Sequence, residues 1–210
     1  YMALVKYNNN SISAVTTAAS IPSGVLTLIK TQTVSSAVGS IVFVDGTNGV
    51  VLDDTYRTYI FAFLNMHPAT DGAEFRFNVS IDTGSNYNVA KTSSLFQAIH
   101  SEDNGTAVLE ISAGASLNQQ TTGQPLTVGL GSAVADESLS GTLHLFSPSS
   151  TTFVKHYMSN CNSYYPDGDG LSANSHIGGY ANTTSAVDAV EFKMNSGNID
   201  AGTIKMYGLV

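Results

Sequence analysis

The most informative part of the chain reads Val190-Glu-Phe-Lys-Met-Asn-Ser-Gly-Asn-Ile-Asp-Ala-Gly-Thr-Ile-Lys-Met-Tyr-Gly-Leu-Val210. Apolar and polar side chains alternate in both halves, around Phe192 in the first and around Ile204 and Met206 in the second. A period of two is the pattern of strands that bury one face. Gly197 and Gly202 lie between the halves, and glycine tolerates the positive φ of tight turns. We therefore predict that the two strands pair as a closing hairpin.

The same alternation recurs along the chain and predicts further strands. The longest apolar run, 56–66, is predicted to be a central strand covered on both faces. The link 67–72 leads to the alternating segment 75–81, which predicts a second hairpin. Further hairpins are expected for 95–100 with 107–111 and for 141–146 with 152–158, and single strands for 25–29 and 41–44.

Composition supports an all-β fold. Only 11% of the 210 residues are charged and 42% are hydrophobic. About eight to ten short strands, joined mostly by hairpins, predict an antiparallel two-sheet β-sandwich that is jelly-roll-like, with a closed barrel as the alternative. Residues 1–20 are expected to form an N-terminal arm or first strand, and 21–210 a single β-sandwich domain. Residues 112–124 are predicted to be a loop and 160–175 an exposed insertion.

Charge and cysteine content argue against several classes of partner and cofactor. The net charge is −8 with only eight Lys and Arg residues, so binding to nucleic acid is not expected. The single Cys161 cannot form an intrachain disulfide or a zinc site of the cysteine-rich type. No apolar run is long enough to span a bilayer, so membrane insertion is not expected. No cofactor is predicted.

An enzyme is not predicted either. The chain has no Gly-X-Ser-X-Gly motif, which marks the nucleophile of one large class of hydrolases. Glycosidases need two carboxylates facing each other across a cleft. The candidate acids have no spacing that selects such a pair: Asp53, Asp54, Glu74, Glu102 and Glu110.

The segment 164–170, Tyr-Tyr-Pro-Asp-Gly-Asp-Gly, is the most site-like part of the sequence. Asp167 and Asp169 have the i, i+2 spacing of calcium loops, although the later glutamate of an EF-hand loop is missing. The rings of Tyr157, Tyr164 and Tyr165 could stack on a sugar. The segment is thus a candidate glycan or calcium loop, and a plain surface loop is the alternative.

Three histidines near this segment form a further candidate site. His144, His156 and His176 could bind a transition metal if the strands brought their imidazoles together. His144 and His156 have apolar neighbours on predicted strands, where hydrogen-bonded structural histidines are commoner. No metal is therefore assigned to them.

Three segments carry a resemblance to a known family: residues 2–13, Met-Ala-Leu-Val-Lys-Tyr-Asn-Asn-Asn-Ser-Ile-Ser; residues 141–146, Gly-Thr-Leu-His-Leu-Phe; and residues 196–208, Ser-Gly-Asn-Ile-Asp-Ala-Gly-Thr-Ile-Lys-Met-Tyr-Gly. The chain resembles small structural proteins of marine tailed bacteriophages, in particular of cyanophages. The resemblance implies a virion protein, either capsid-decorating or fibre-associated, that is assembled in the host cytoplasm. It carries no catalytic residues over to this chain.

The expected function is therefore architectural. We expect a non-enzymatic, surface-exposed virion protein that contacts other virion proteins and forms a homo-oligomer, with a trimer favoured. The alternative is a module of a tail fibre or tip that binds a host surface glycan through the tyrosines and acids of the candidate loop.

Overall fold

The computed structural model describes residues 26–165 and 170–210, which excludes the predicted arm at 1–20. Within these residues every regular element is a β-strand, and no helix is long and apolar enough to cross a membrane. The strands are β1 (Thr27–Thr33), β2 (Ile41–Val44), β3 (Thr58–Pro68), β4 (Phe75–Ser80), β5 (Lys91–Ser101), β6 (Ala107–Ile111), β7 (Gln124–Pro125), β8 (Leu139–Phe146), β9 (Lys155–Tyr165), β10 (Leu171–Ala181), β11 (Ala189–Met194) and β12 (Ile199–Leu209).

The strands form two antiparallel sheets, which confirms the predicted β-sandwich. The large sheet has eight strands in the order β1-β12-β3-β8-β9-β10-β5-β6. The small sheet has four strands in the order β2-β11-β4-β7. Hydrophobic side chains from both sheets pack into one core between them.

The order of pairing makes the sandwich a jelly roll. β1 pairs with β12, β2 with β11, β3 with β8, and β4 with β7. Successive pairs alternate between the large and the small sheet, so the eight strands behave as one long hairpin rolled around the core. This is the double-sheet jelly roll that the sequence predicts.

Two inserted hairpins widen the large sheet beyond this roll. The hairpin β5–β6 lies between β4 and β7 in the chain, and the hairpin β9–β10 lies between β8 and β11. β9 pairs with the otherwise free edge of β8, and β10, β5 and β6 follow in that order. The ladder between β9 and β10 is long, since it runs from Tyr165 opposite Leu171 to Lys155 opposite Ala181.

Five phenylalanines form the centre of the core. The ring of Phe192 on β11 lies 5.1 Å from Phe61 and 5.2 Å from Phe63, both on β3 of the facing sheet. Phe43 and Phe75 complete the group, at 6.1 Å and 5.9 Å from Phe192. All five are at most 2% exposed. Two of these four ring pairs are edge-to-face, one is tilted and one is stacked, and such aromatic pairs stabilise the core beyond the burial of their area.

The inner face of the inserted strands is covered by the segment 112–131 together with the small sheet, whose Phe77 packs on Tyr157 of β9. Leu117 donates its backbone N–H to Ser93 Oγ on β5 at 3.0 Å. Gln124 Oε1 accepts a hydrogen bond from the buried Tyr157 hydroxyl on β9, also at 3.0 Å. Residues 112–124, which were predicted to be a loop, thus form part of this cover, and they contribute only the start of β7 and one isolated bridge, at Gln120, to the ladders.

Two predicted hairpins are wrong for the same reason. β11 lies in the small sheet and β12 in the large sheet, so the segment 190–210 arches between sheets instead of closing a hairpin. β3 and β4 are divided between the sheets in the same way. Turn residues reverse the chain, but the next strand can enter the facing sheet as readily as pair with the previous one. The hairpin β5–β6 and the pairing of β8 with β9 are confirmed.

Two further predictions are corrected. β3 is central in its sheet but covered on one face only, because Phe61 and Phe63 are buried whereas Leu64 is 42% exposed. The predicted insertion at 160–175 is mostly strand, since β9 and β10 run through it. Its exposed Asn162 and Ser172 alternate with the buried Ala173 and its neighbours, as expected for one-sided strands. These additions bring the described strands to twelve.

Candidate functional site

A cleft of about 320 Å³ lies at the end of the large sheet where β9 and β10 approach their connection. Three of its side chains form a row across neighbouring strands, because Tyr164 lies opposite Ser172 and Ser172 lies opposite His100. The remaining lining residues come from the turn after β5, from β9 and β10 and from the segment before β8: Ser101, Glu102, Asp136, Ser138, Asn162, Ser163 and Leu171.

The Tyr164 hydroxyl lies near the carboxyl group of Glu102. A Cβ built on Gly170 would lie 2.6 Å from that hydroxyl and 3.0 Å from Glu102 Cδ, so Tyr164 and Glu102 meet over this glycine. Burial, and then the negative charges of Glu102, Glu137 and Asp136, raises the pKa of Tyr164 above its usual 10.0. The phenol therefore stays protonated at neutral pH and can donate a hydrogen bond.

A second cleft, of about 480 Å³, adjoins the first at Asp136 and Ser138. His67 lies in its wall, with Nδ1 2.6 Å from Asp200 Oδ1. His67 Nε2 is buried and has no hydrogen-bond partner among the described residues. The two clefts share Asp136, and the carboxylates of Glu102, Glu137 and Asp200 also line them.

The structure separates the predicted site residues. Tyr164 lies in the cleft, but Tyr165 points to the other face of β9, where its ring lies against Gly129. Tyr157 is 1% exposed and packs on Phe77 in the core, so its ring does not lie on the surface where the predicted glycan site needs it. Asp167 and Asp169 lie outside the described residues.

Strand parity explains this separation. Tyr157 and Tyr164 are seven residues apart on one strand, and an odd spacing places two side chains on opposite faces. This signal is present in the sequence once β9 is extended to Tyr165. His100, Glu102 and Asp136 could not be found in the same way, because only tertiary pairing brings them to Tyr164.

The three histidines lie on strands β8, β9 and β10 but each contacts a different aromatic ring. His176 stacks on Phe96 with centroids 4.9 Å apart, His156 lies 6.1 Å from Tyr180, and His144 lies 6.3 Å from Phe146. In the described part of the chain no three His, Cys, Asp or Glu side chains are grouped to hold a metal ion.

The second candidate site is a surface, the outer face, which we define as the solvent side of β12, β3, β8, β9, β10, β5 and β6. Cross-strand pairing orders its side chains into rows. One row consists of Ile111, Phe96, His176, Asn160, Thr142, Ala62 and Lys205. The next consists of Gly178, Met158, His144, Ile60 and Tyr207. Lys205 is the one Lys, Arg, Asp or Glu in these two rows.

Large apolar side chains are exposed on the outer face. Met158, at the centre of the sheet, is 60% exposed, and Phe96 is 45% exposed. A shallow depression of about 250 Å³ lies beside Met158, between Phe146, His144 and His176. Contiguous apolar patches on a protein surface commonly mark an interaction site.

Acidic side chains are missing from the central strands of this face. In the described strands acids occur only at Glu110, Glu191 and Asp200. Glu191 belongs to the small sheet, and Glu110 accepts a hydrogen bond from Gln97, a residue of the buried side of β5. The negative charge of the chain thus lies mainly in connecting loops. A run of exposed strand residues without charge is a signal that sequence reasoning could have used.

Comparisons of the chain with protein-family models, with curated proteins and with solved structures found no match.

Proposed function

We propose that the protein is a non-enzymatic, surface-exposed structural protein of a phage particle, and that its copies assemble through the outer face. The outer face is the observation that supports this proposal. It presents Met158 and Phe96 to solvent on a sheet whose strands are held by long antiparallel ladders. Burying such side chains against a second copy is favourable, and a rigid sheet loses little conformational entropy on binding.

Charge favours a second copy of the chain as the occupant of this face. Two chains with a net charge of −8 repel each other, and they repel least where carboxylates are missing. The central strands of the outer face carry no carboxylates on that face. In the two rows of side chains described above, Lys205 is the single Lys or Arg. A closed oligomer is then expected, and we favour a trimer, which could present its loops away from a particle.

The jelly roll agrees with a role in a particle, although a fold alone does not assign a function. Viral capsid domains and lectins share this architecture. The sequence resemblance to cyanophage structural proteins favours a viral function, in which the protein decorates the capsid or associates with a fibre. The particle itself would supply the other virion proteins that we expect as partners.

Light scattering after size-exclusion chromatography tests the assembly. We expect an oligomer for the native sequence and a monomer for Met158→Glu, because a charge would then be buried in each interface. Val42→Glu is the matched control, since Val42 is 39% exposed on a strand of the small sheet. A monomeric native protein, or equal dissociation by both variants, would contradict the proposal.

A second candidate function is supported by the cleft at Tyr164. Its lining supplies an aromatic ring, the imidazole of His100 and several carboxylates, the groups that commonly orient a sugar. The same carboxylates repel acidic sugars, so a host glycan bound here should be neutral or basic. A receptor-binding component of a fibre or tip would combine this function with the first.

A glycan array probed with the native protein, with and without calcium, tests the second function. Tyr164→Ala should abolish any signal, whereas Tyr180→Ala, an aromatic deletion near the far end of β10, should retain it. Binding that survives Tyr164→Ala, or a blank array under both conditions, would exclude the cleft as a glycan site.

A further inference from the structure

A lysine and an asparagine meet in a buried pocket between β4 and β5. Lys91 is 0% exposed and Asn78 is 4% exposed. Lys91 Nζ lies 2.5 Å from Asn78 Oδ1 and donates a second hydrogen bond to the carbonyl of Val89 at 2.8 Å. The amine thus touches the side-chain amide where water has little access.

The pocket also fixes the asparagine amide. Asn78 Nδ2 donates to the backbone carbonyls of Tyr87 and Thr121, and Oδ1 accepts the N–H of Val79 at 2.9 Å. Every polar atom of the amide is therefore held, so the side-chain amide of Asn78 is fixed in one orientation beside Lys91 Nζ.

Lys155 is also 0% exposed, and burial lowers its pKa as well, but its amine has more hydrogen-bond acceptors than that of Lys91. Lys155 Nζ donates to three backbone carbonyls, those of Ser150, Phe153 and Thr183, which match the three hydrogens of an ammonium group. Lys91 has two acceptors and no carboxylate among its hydrogen-bond partners. Burial lowers the pKa of Lys91 to about 7, so a large fraction is the neutral amine at neutral pH.

We propose that Lys91 and Asn78 form an intramolecular isopeptide bond. The Nζ lone pair attacks Asn78 Cγ, and the C=O π electrons move to Oδ1. The carbonyl then re-forms as the bond from Cγ to Nδ2 breaks. Nδ2 leaves as ammonia with a proton taken from Nζ, and the product is a secondary amide. No oxidant, metal or nucleotide is needed, because the reaction exchanges one amide for another.

The surroundings provide two of the aids that such a step needs. The Val79 N–H already points at Oδ1, where negative charge develops in the tetrahedral adduct. Glu191 lies directly opposite Asn78 in the ladder between β11 and β4, so both side chains are on the same face of the small sheet. In this proposal Glu191, whose Oε2 lies 2.9 Å from Lys193 Nζ, carries the proton from Lys91 Nζ to Asn78 Nδ2.

The bond would tie the two sheets together. Asn78 belongs to the small sheet, and Lys91 is the first residue of β5, an inserted strand of the large sheet. The closed loop between them spans residues 78–91. A permanent link there restricts the unfolded chain, as a disulfide does, in a protein whose single Cys161 is buried and free. This inference does not depend on the proposed function.

Mass spectrometry of the full chain tests the proposal directly. We expect the denatured protein to weigh less than its sequence mass by one ammonia. Lys and Arg next to the site occur at Arg76, Lys91 and Lys155, so trypsin should yield the linked peptide 77–155 instead of peptides 77–91 and 92–155. Lys155 is the internal control, because the denatured chain should be cleaved after it as usual.

The tryptic map also separates the isopeptide from a simpler loss of ammonia. A succinimide at Asn48-Gly49 or Asn104-Gly105 gives the same mass but leaves cleavage after Lys91 intact. Cleavage after Lys91 at the level seen after Lys155 would overturn the proposal, whatever the intact mass.

Three variants check the chemistry, with circular dichroism to verify folding. Lys91→Met and Asn78→Leu should each show the full sequence mass. Glu191→Gln should slow the linkage, so that freshly folded protein is cleaved after Lys91. If the linkage in Glu191→Gln is as complete and as fast as in the native chain, Glu191 is excluded from the proton transfer. Because the native protein alone gives a decisive map, the test stands even if a variant fails to fold.

Discussion

Gly141 shows how closely two strands approach at a single residue. It lies in β8, and a Cβ built on it would be 2.4 Å from the carbonyl oxygen of Asn160 and 2.6 Å from Cys161 Cα. Both atoms are backbone of the neighbouring β9, so they cannot rotate away as a side chain could. Glycine is therefore required here by space.

Gly141→Ala should lower the free energy of unfolding by about 1–3 kcal/mol, because the added methyl group forces the backbones of β8 and β9 apart. The matched control is Gly178→Ala on β10, where a Cβ meets nothing within 4 Å. The control should be neutral or slightly stabilising, since alanine restricts the unfolded chain. Urea denaturation measures both, and equal effects would show that the close approach is not real.

Asp82 stabilises the connection after β4 in its ionised form. Its carboxylate accepts hydrogen bonds from Asn86 Nδ2 at 2.7 Å, from Ser80 Oγ at 2.7 Å and from the Asn86 N–H at 2.8 Å. These bonds, with the Asn86 side chain as the largest cause, hold the pKa of Asp82 below its usual 3.8. A depressed carboxyl pKa stabilises the fold above the pKa of the unfolded chain, and that stability is lost as the pH falls through the folded pKa.

Asp82→Asn should therefore lower the melting temperature at pH 7, and its difference from the native protein should shrink as the pH falls from about 4 to about 2. Thermal melts across this range measure the effect. Asp136→Asn, at an exposed residue of the cleft, is the control and should change little at pH 7. A difference that stays constant with pH would contradict the role of the ionised carboxylate.

Among the elements, β6 has the least support. Among the described residues it is the edge strand of the large sheet and pairs only with β5, and all five of its residues are exposed, Leu109 by 75%. Central strands such as β3 have a ladder on both sides and a buried face. Local opening of β6 should therefore require much less free energy than opening of the core.

Hydrogen exchange followed by mass spectrometry should show this difference. Amides of β6 should exchange much faster than those of β3 and β12. Association through the outer face should slow exchange in β9 and β10, where the face has its centre. Protection of β6 equal to that of β3 in the monomeric Met158→Glu variant would contradict the assignment of β6 as a weak edge.

The elements also show what sequence alone could predict. Period-two alternation located most strands and the correct buried face, as in β4, where Phe75 and Phe77 point inward. It could not assign strands to sheets, because each sheet of a sandwich buries one face and produces the same pattern. The arch between β11 and β12 has the same Asn and Gly residues as a hairpin turn, so local chemistry does not separate the two.

The candidate site was predictable to a smaller extent. Tyr164 is in the predicted loop region and lines the cleft. Tyr157 is buried, because side chains alternate along β9 and Tyr157 lies on the core face. The cleft depends on His100 and Asp136, which are far from Tyr164 in sequence and reach it through the inserted hairpin and the segment before β8. The contact of Lys91 with Asn78 likewise joins two sheets, and no spacing rule predicts it.

At the scale of the whole molecule, the proposed assembly depends on two opposing contributions to the free energy of association. Burial of the outer face favours association, and the net charge of −8 on each copy opposes it. The carboxylates lie mainly in loops and at sheet ends, so most like-charge repulsion acts through solvent, where salt screens it. The screening length falls from about 10 Å at 0.1 M salt to about 3 Å at 1 M.

Raising the salt concentration should therefore tighten association of the native protein, because repulsion is screened while apolar burial is not weakened. Sedimentation across a salt series measures this, and Val42→Glu, which adds charge away from the outer face, should show a steeper gain with salt. The Met158→Glu variant should remain largely monomeric throughout, since its new charge would be desolvated on association. Dissociation of the native oligomer by salt would show that ion pairs hold it and that the outer face is not the interface.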